Sequence, residues 1–205
     1  MLSGRLLTIA KLVKPNASVL DVGTDHAYLP IYLKESKVCK KVIASDISPN
    51  ALEGARKNIE KFQVPDIKLI LSDGLEKIED DYDTLIISGM GTKTIIHILY
   101  GQKLPENIIL SSNNNLYELR KYMNKIGYKI KEEVTCYDKG KWYDIIYYEK
   151  GIERLSEIKL LYGKSKDKTY YHHLYEKEKL IYKELKLKNK IKNIPRLFIL
   201  KVKSI

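Results

Sequence analysis

The chain has 205 residues, 44% of them hydrophobic and 31% charged, enough for one domain of ordinary size with an appendage and a real core. No run approaches the roughly 18 consecutive apolar residues of a membrane span, and the first residues, MLSGRLLTIAKLVKP, show helical spacing rather than a secretory signal. Cys39 and Cys136 lie far apart without partner cysteines, which excludes a cysteine-based zinc site and fits a reducing, cytoplasmic setting.

The formal charge of +11 is unevenly placed: residues 151–205 hold 15 Lys+Arg against 6 Asp+Glu, and residues 1–150 hold 22 against 20. A basic end on a near-neutral body predicts a polyanionic partner, nucleic acid first. Only five of the 37 basic residues are Arg, and Ile, Asn and Tyr are abundant, so a purely compositional origin of the charge stays open.

In chain order, an N-terminal helix carries Arg5, which touches either RNA or solvent. Short β-rich runs then alternate with helical patterns, the rhythm of an α/β parallel sheet. The strands are SVLDV (18–22), KVIASD (41–46), IKLIL (67–71), TLIIS (84–88) and NIILSS (107–112). Helical patterns occupy 27–36, 49–62, 92–100 and 115–126, the second opened by Ser48 as cap and Pro49 at the first helical position. YKIKEEVTCYD and KWYDIIYYEK then read as an antiparallel hairpin joined at Lys139-Gly140. A parallel sheet closed by such a hairpin is the Rossmann-like layout expected of class I methyltransferases, here over residues 1–150.

Residues 151–205 read as a basic helical extension. Leu155, Ile158, Leu161 and Tyr162 can share one face and Leu174, Ile181 and Leu185 another, with the KSKDK turn between them. This predicts a two-helix antiparallel hairpin packed like a short coiled coil. The segment after Pro195 has no assignment. His172 and His173 are adjacent on a helix and point in different directions, so no metal site is expected. The five tyrosines among the lysines of 162–182 pack the hairpin or stack on bases.

Four successive strand ends carry polar or glycine residues. Asp21-Val22-Gly23 closes the first strand and opens a loop of Thr24, Asp25 and His26. Asp46, followed by Ile47, closes the second strand 25 residues later; an acidic residue at that spacing can bond both hydroxyls of a ribose. Ser72-Asp73-Gly74 follows the third strand, where Asp73 could receive an adenine amine. Ser88-Gly89-Met90-Gly91 follows the fourth, where the glycines let a ligand approach the backbone. Ligands of open α/β sheets bind at this edge, so the four together predict a nucleoside site. A dinucleotide would set its pyrophosphate against Asp25; two like charges at about 4 Å in an effective dielectric near 20 cost on the order of 4 kcal/mol. S-adenosylmethionine has no phosphate and carries an ammonium and a sulfonium, which suit an acidic loop. A second role for Asp25 is helix N-cap.

DVGTDHAYLP, SDISPNALEGARKN, LSDGL and ISGMGT closely resemble, in order, motifs of the bacterial tRNA (adenine-22 N1)-methyltransferases, the TrmK family. The resemblance covers roughly residues 3–150, and the basic extension matches the family's in position. It implies S-adenosyl-L-methionine as donor, tRNA as partner and transfer to ring N1 of one adenine in the tRNA core. Two departures stand out. Gly89-Met90-Gly91-Thr92 replaces the family's usual Gly-Met-Gly-Gly, and Ser112-Asn113-Asn114 replaces its Gln-Pro-Asn.

Ring N1 of neutral adenine already bears a lone pair, so transfer needs alignment rather than a base. An Asn/Asp-Pro-Pro-aromatic motif is absent after the fourth strand, which argues against N6 transfer, and neither cysteine lies there for C5 pyrimidine chemistry. His26, Tyr28 and Met90 are the candidates to position the target base. Arg5, Asn113, Asn114 and the basic surface of 151–205 are the candidates to hold RNA. The expected state is a monomer or weak oligomer, with no membrane or metal partner. Two other readings stay open: a decayed methyltransferase fold serving as an RNA-binding module, and a small-molecule methyltransferase.

Overall fold

The fold is that of a computed structural model, which describes residues 2, 4–184 and 187–205, apart from the side chains of 184 and 187–193. Two compact units divide the chain, residues 1–164 and 165–205.

In the first unit, helix α1 (Gly4–Leu12) precedes five parallel strands: β1 (Ala17–Val22), β2 (Cys39–Asp46), β3 (Ile67–Leu71), β4 (Thr84–Met90) and β5 (Asn107–Ser112). Between them run α2 (Tyr28–Glu35), α3 (Pro49–Lys61) and α4 (Thr92–Leu99), and α5 (Leu116–Lys125) leads into the hairpin of β6 (Tyr128–Asp138) and β7 (Lys141–Lys150). Strand order is β3-β2-β1-β4-β5-β7-β6, with β7 antiparallel to both neighbours. The chain therefore steps outward from β1 to β3, then crosses back to β4 beside β1, which creates the topological switch point.

All residues of β1 and β5 are buried, as a sheet covered on both faces requires. Alternate residues feed opposite layers. Leu20, Leu85, Ile87, Ile108 and Leu110 meet Ile95 and Leu99 of α4 and Leu119 of α5 on one face. Val19, Ile86 and Ile109 meet Ile9 of α1 and Leu29 and Leu33 of α2 on the other. Ser48 caps α3, its Oγ accepting from the Ala51 N–H at 3.3 Å ahead of Pro49. Lys139 (φ 47°) and Gly140 (φ 83°) are both left-handed, as the two-residue hairpin turn demands.

The division after Lys164 falls beyond the expected boundary at 150, and the reason is a buried ionic knot. Arg120, 1% exposed, gives Nε and Nη2 to Glu133 Oε1 at 3.1 and 2.5 Å, and Nη1 to the Leu160 and Leu161 carbonyls at 2.9 and 3.3 Å. Glu133 Oε2 accepts the Lys164 N–H at 2.6 Å. Helix α6 (Glu157–Tyr162), six residues long and closed by left-handed Gly163, is thus tied to the sheet domain.

The helical hairpin forms one element later than expected. In the second unit α7 (Lys168–Glu184) and α8 (Leu187–Ser204) are its arms, whereas Ile158, Leu161 and Tyr162 belong to α6 of the first unit. Asp167 Oδ1 accepts the Tyr170 N–H at 3.1 Å at the start of α7. The arms are antiparallel, since Lys203 Nζ reaches the Tyr171 hydroxyl at 3.0 Å and Lys168 Nζ reaches the Ile205 carbonyl at 2.5 Å. Pro195 lies inside α8, so the unassigned segment after it is helical. Leu185, expected on the hairpin face, lies outside the described residues. Among the described residues no helix is long and apolar enough to cross a membrane, and no group of three or more His, Cys, Asp or Glu could hold a metal ion.

Candidate active site

The loop after β1 is pinned to the end of β2. The Gly23 and Thr24 N–H groups donate to the Ser45 carbonyl at 2.9 and 3.0 Å, and the Asp25 N–H donates to Asp46 Oδ2 at 3.1 Å. Asp46 Oδ1 accepts the Ser48 N–H at 2.9 Å, so one carboxylate fixes both loops of this edge. Gly23 has φ +75°, and a Cβ there would stand 2.2 Å from Met90 Cε. Met90, at the end of β4, therefore lies across the bare backbone of β1 at the switch point.

The glycines missing from this loop are replaced by strained residues. Asp25 (φ 53°) and Ala27 (φ 56°) are left-handed, and Ala27, fully buried, is the residue that precedes α2. The Asp25 carboxylate does not cap that helix. It is 70% exposed, with Oδ2 3.6 Å from His26 Nε2. His26 leans on α3: its carbonyl accepts from Asn58 Nδ2 at 3.0 Å, and its ring sits where a side chain at Gly54 would go.

Asp21 is buried, and burial pushes its carboxyl up to about 6; the adjacent Thr24 side chain pulls it down, Asp46 raises it and Arg5 lowers it. Ser72 is buried and occupied by its own loop, donating to the Gly74 carbonyl at 3.2 Å and accepting the Lys77 N–H at 3.1 Å. Asp73 is exposed, and so is Ile47, at 63%.

At the ends of β4 and β5 the two departures from the family pattern touch each other. Thr92 Oγ1 and Ser112 Oγ are 2.8 Å apart, and both hydroxyls reach the Asn114 carbonyl, at 2.7 and 2.9 Å. Asn114 Oδ1 accepts the Thr92 N–H at 3.1 Å. Asn113 Nδ2 donates to the Gly89 carbonyl at 2.7 Å. Gly89 has φ +84°, and the Arg5 guanidinium occupies the space over it.

Two cavities flank Arg5. The first, about 450 Å³, is lined by Gly89, Asn113, Asn114 and, from β7, Trp142 and Tyr143. The second, about 620 Å³, is lined by Tyr28, Tyr32, Phe62, Lys139 and Tyr143 among others. The Arg5 guanidinium lies 5.0 Å from the Tyr143 ring centroid, and this pair borders both cavities. The predicted residues are thus brought to one edge, with two differences. Tyr28 lines the second cavity rather than the one beside Gly89, and His26 packs on α3. Trp142 and Tyr143 escaped sequence reasoning because only the folding-back of the hairpin brings β7 beside β5. The aromatic pair one residue beyond the Lys139-Gly140 turn was the available signal.

An open sheet closed by an antiparallel hairpin, with an acidic loop, a second-strand Asp and a glycine-lined cavity along one edge, defines a class I methyltransferase. The family model described as "Methyltransferase domain" matches residues 2–146. The tRNA (adenine(22)-N(1))-methyltransferase of Bacillus subtilis (strain 168) is 33% identical over 156 residues, covering 73% of this chain and 66% of that protein. The chain thus spans about two thirds of that relative's length. The structure of M. capricolum TrmK in complex with S-adenosyl-homocysteine superposes with a TM-score of 0.83 at 31% identity, covering 98% of this chain and 96% of that one. Streptococcus pneumoniae Sp1610 in complex with S-adenosyl-L-methionine gives 0.86 at 30% identity, with 100% of both chains covered. The chain belongs to the TrmK family of methyltransferases.

Proposed function

We propose that this protein is an S-adenosyl-L-methionine-dependent tRNA methyltransferase acting on ring N1 of an adenine, position 22 of the tRNA core. The observation that carries the reading is Asp21, a carboxylate buried at the switch point beside the loop that Asp46 pins, where its charge is best matched by a cation. The amino acid end of the donor carries one. Asp46 would take the ribose; each of its oxygens already accepts one backbone N–H and keeps a second lone pair for a hydroxyl. Exposed Ile47 would cover one face of the adenine, and exposed Asp73 would receive its amine. Gly23 lets the Met90 side chain close over the loop, and Asp25 disfavours a pyrophosphate in it. Thr24, Gly74 and Gly91 would belong to the same lining, whereas the Ser72 hydroxyl is engaged in its own loop.

When bound, the donor supplies an electrophilic methyl group on a sulfonium. The residues of this chain then have one task, to hold N1 of the base in line with that methyl. Such positioning can supply roughly 7–11 kcal/mol of the barrier. Met90, whose side chain lies over Gly23, would help to position the base against the methyl group. The cavity beside Gly89 would receive the extruded base, with Tyr143 and Trp142 as aromatic walls and Asn113 and Asn114 as polar ones. The basic surface of 151–205 would hold the tRNA phosphates. Cytoplasmic localisation and a monomeric or weakly oligomeric state complete the proposal.

The altered Ser112-Asn113-Asn114 segment is the feature that would favour a decayed RNA-binding module. Those residues are held in an ordered network with Thr92 and Gly89, which supports an intact site. Incubation with methyl-labelled donor and bulk tRNA tests the proposal. Label recovered as 1-methyladenine is expected, and unlabelled tRNA would overturn it.

A further inference from the structure

The second cavity has no role in the reaction as described. It is the larger of the two, and its walls come from α1, α2, the end of α3 and the β6–β7 turn. Four of its lining residues are aromatic: Tyr28, Tyr32, Phe62 and Tyr143. Tyr28 is 46% and Phe62 42% exposed. Two large exposed aromatic side chains from different helices, facing one cavity, are an unusual use of a soluble surface. Burial in the core does not explain them, since both stand outside it.

We propose that this cavity takes the nucleobase adjacent to the target adenine in the tRNA strand, with the Arg5–Tyr143 stack as the partition between the two bases. The inference rests on the tRNA reading above and names a second base subsite within it. Three observations support it. The partition is shared: Arg5 and Tyr143 line both cavities, so a strand that places one base beside Gly89 has its neighbour within reach of the other cavity. The walls suit a base, because aromatic side chains offer a stacking face to any of the four. Arg5 and Lys139 on the rim suit the backbone that joins two bases; they stand beside two acids, Glu35 and Asp138, the second held by the Arg5 N–H at 3.1 Å. Extruding one base also strips its neighbour of a stacking partner, and this cavity would replace it.

The test uses the full-length protein, intact tRNA and two tRNAs carrying an abasic residue on the 5′ or the 3′ side of the target adenine. Tyr28→Ala and Phe62→Ala are each expected to raise KM for intact tRNA roughly tenfold, with donor affinity unchanged as the check on folding. Tyr28→Phe should restore the wild-type KM, since stacking does not need the hydroxyl. For wild-type protein, one of the two abasic tRNAs should show the same loss, and on that tRNA Tyr28→Ala should lose nothing further. Losses from the variant and from the abasic tRNA that simply multiply would overturn the proposal, as would a cavity variant with wild-type KM. Multiplying losses would instead point to an apolar segment of a protein partner or to an indirect effect. Wild-type protein that methylates no tRNA at all would sink the underlying reading, a result separable from all of these.

Discussion

Asp21 shows how a single side chain can trade stability for binding. Its carboxyl is held near 6, against an ordinary value of 3.8, chiefly by burial. The folded protein therefore binds more protons than the unfolded chain between about pH 4 and pH 6, and stability falls as pH rises through that window. The loss is about 3 kcal/mol when complete. Asp21→Asn should recover much of it, raising the denaturation midpoint of the ligand-free protein at pH 7 while weakening donor binding. A cationic ligand favours the ionised form, so donor affinity should fall as pH drops below about 6. Titration calorimetry at pH 6 in two buffers of different ionisation enthalpy should show proton release on binding. No release would mean that Asp21 does not meet the cation. Gly23 is constrained in a different way, by its left-handed φ and by Met90 Cε in the path of any Cβ. Gly23→Ala should cost roughly 1–3 kcal/mol in urea denaturation and abolish donor binding.

Among the elements, the parallel strands were readable because each is a short apolar run ending in a polar or glycine residue, and all five fall within two residues of their expected ends. The loop after β1 was readable as a ligand loop but not in its geometry. Nothing local signals that Ala27, a residue with a Cβ, adopts the left-handed conformation that glycine would adopt elsewhere. The hairpin at the C-terminus was displaced by one element, because the interaction that claims α6 is between Arg120, Glu133 and backbone groups up to 41 residues away. The segment after Pro195 has no assignment from its pattern, yet α8 continues through the proline. The β4 and β5 loops carry the two family departures as a bonded pair, and this has a measurable consequence. Thr92→Val removes a hydroxyl that Ser112 and Asn114 both use, and should cost roughly 1–3 kcal/mol. A double-mutant cycle with Ser112→Ala should show coupling of about 0.5 kcal/mol or more. Additive losses would mean that the two substitutions arose independently of each other.

For the whole molecule, the boundary at Lys164 matters more than the charge step at residue 151. A chain ending at residue 164 keeps Arg120 supplied with the Leu160 and Leu161 carbonyls, and Glu133 with the Lys164 N–H. It should retain donor affinity while losing tRNA affinity and much of the salt dependence of binding. A chain ending at residue 150 strips a buried charge cluster of partners and should be less stable by roughly 2–4 kcal/mol. Equal denaturation midpoints for the two truncations would show that residues 151–164 do not belong to the sheet domain. The central claim, methyl transfer to one adenine of the tRNA core, is tested most directly on two tRNA transcripts that differ at position 22. With methyl-labelled donor and wild-type protein, the transcript with adenine there should carry label as 1-methyladenine, and the one with guanine should carry none. Equal labelling of both, or of neither, would contradict it.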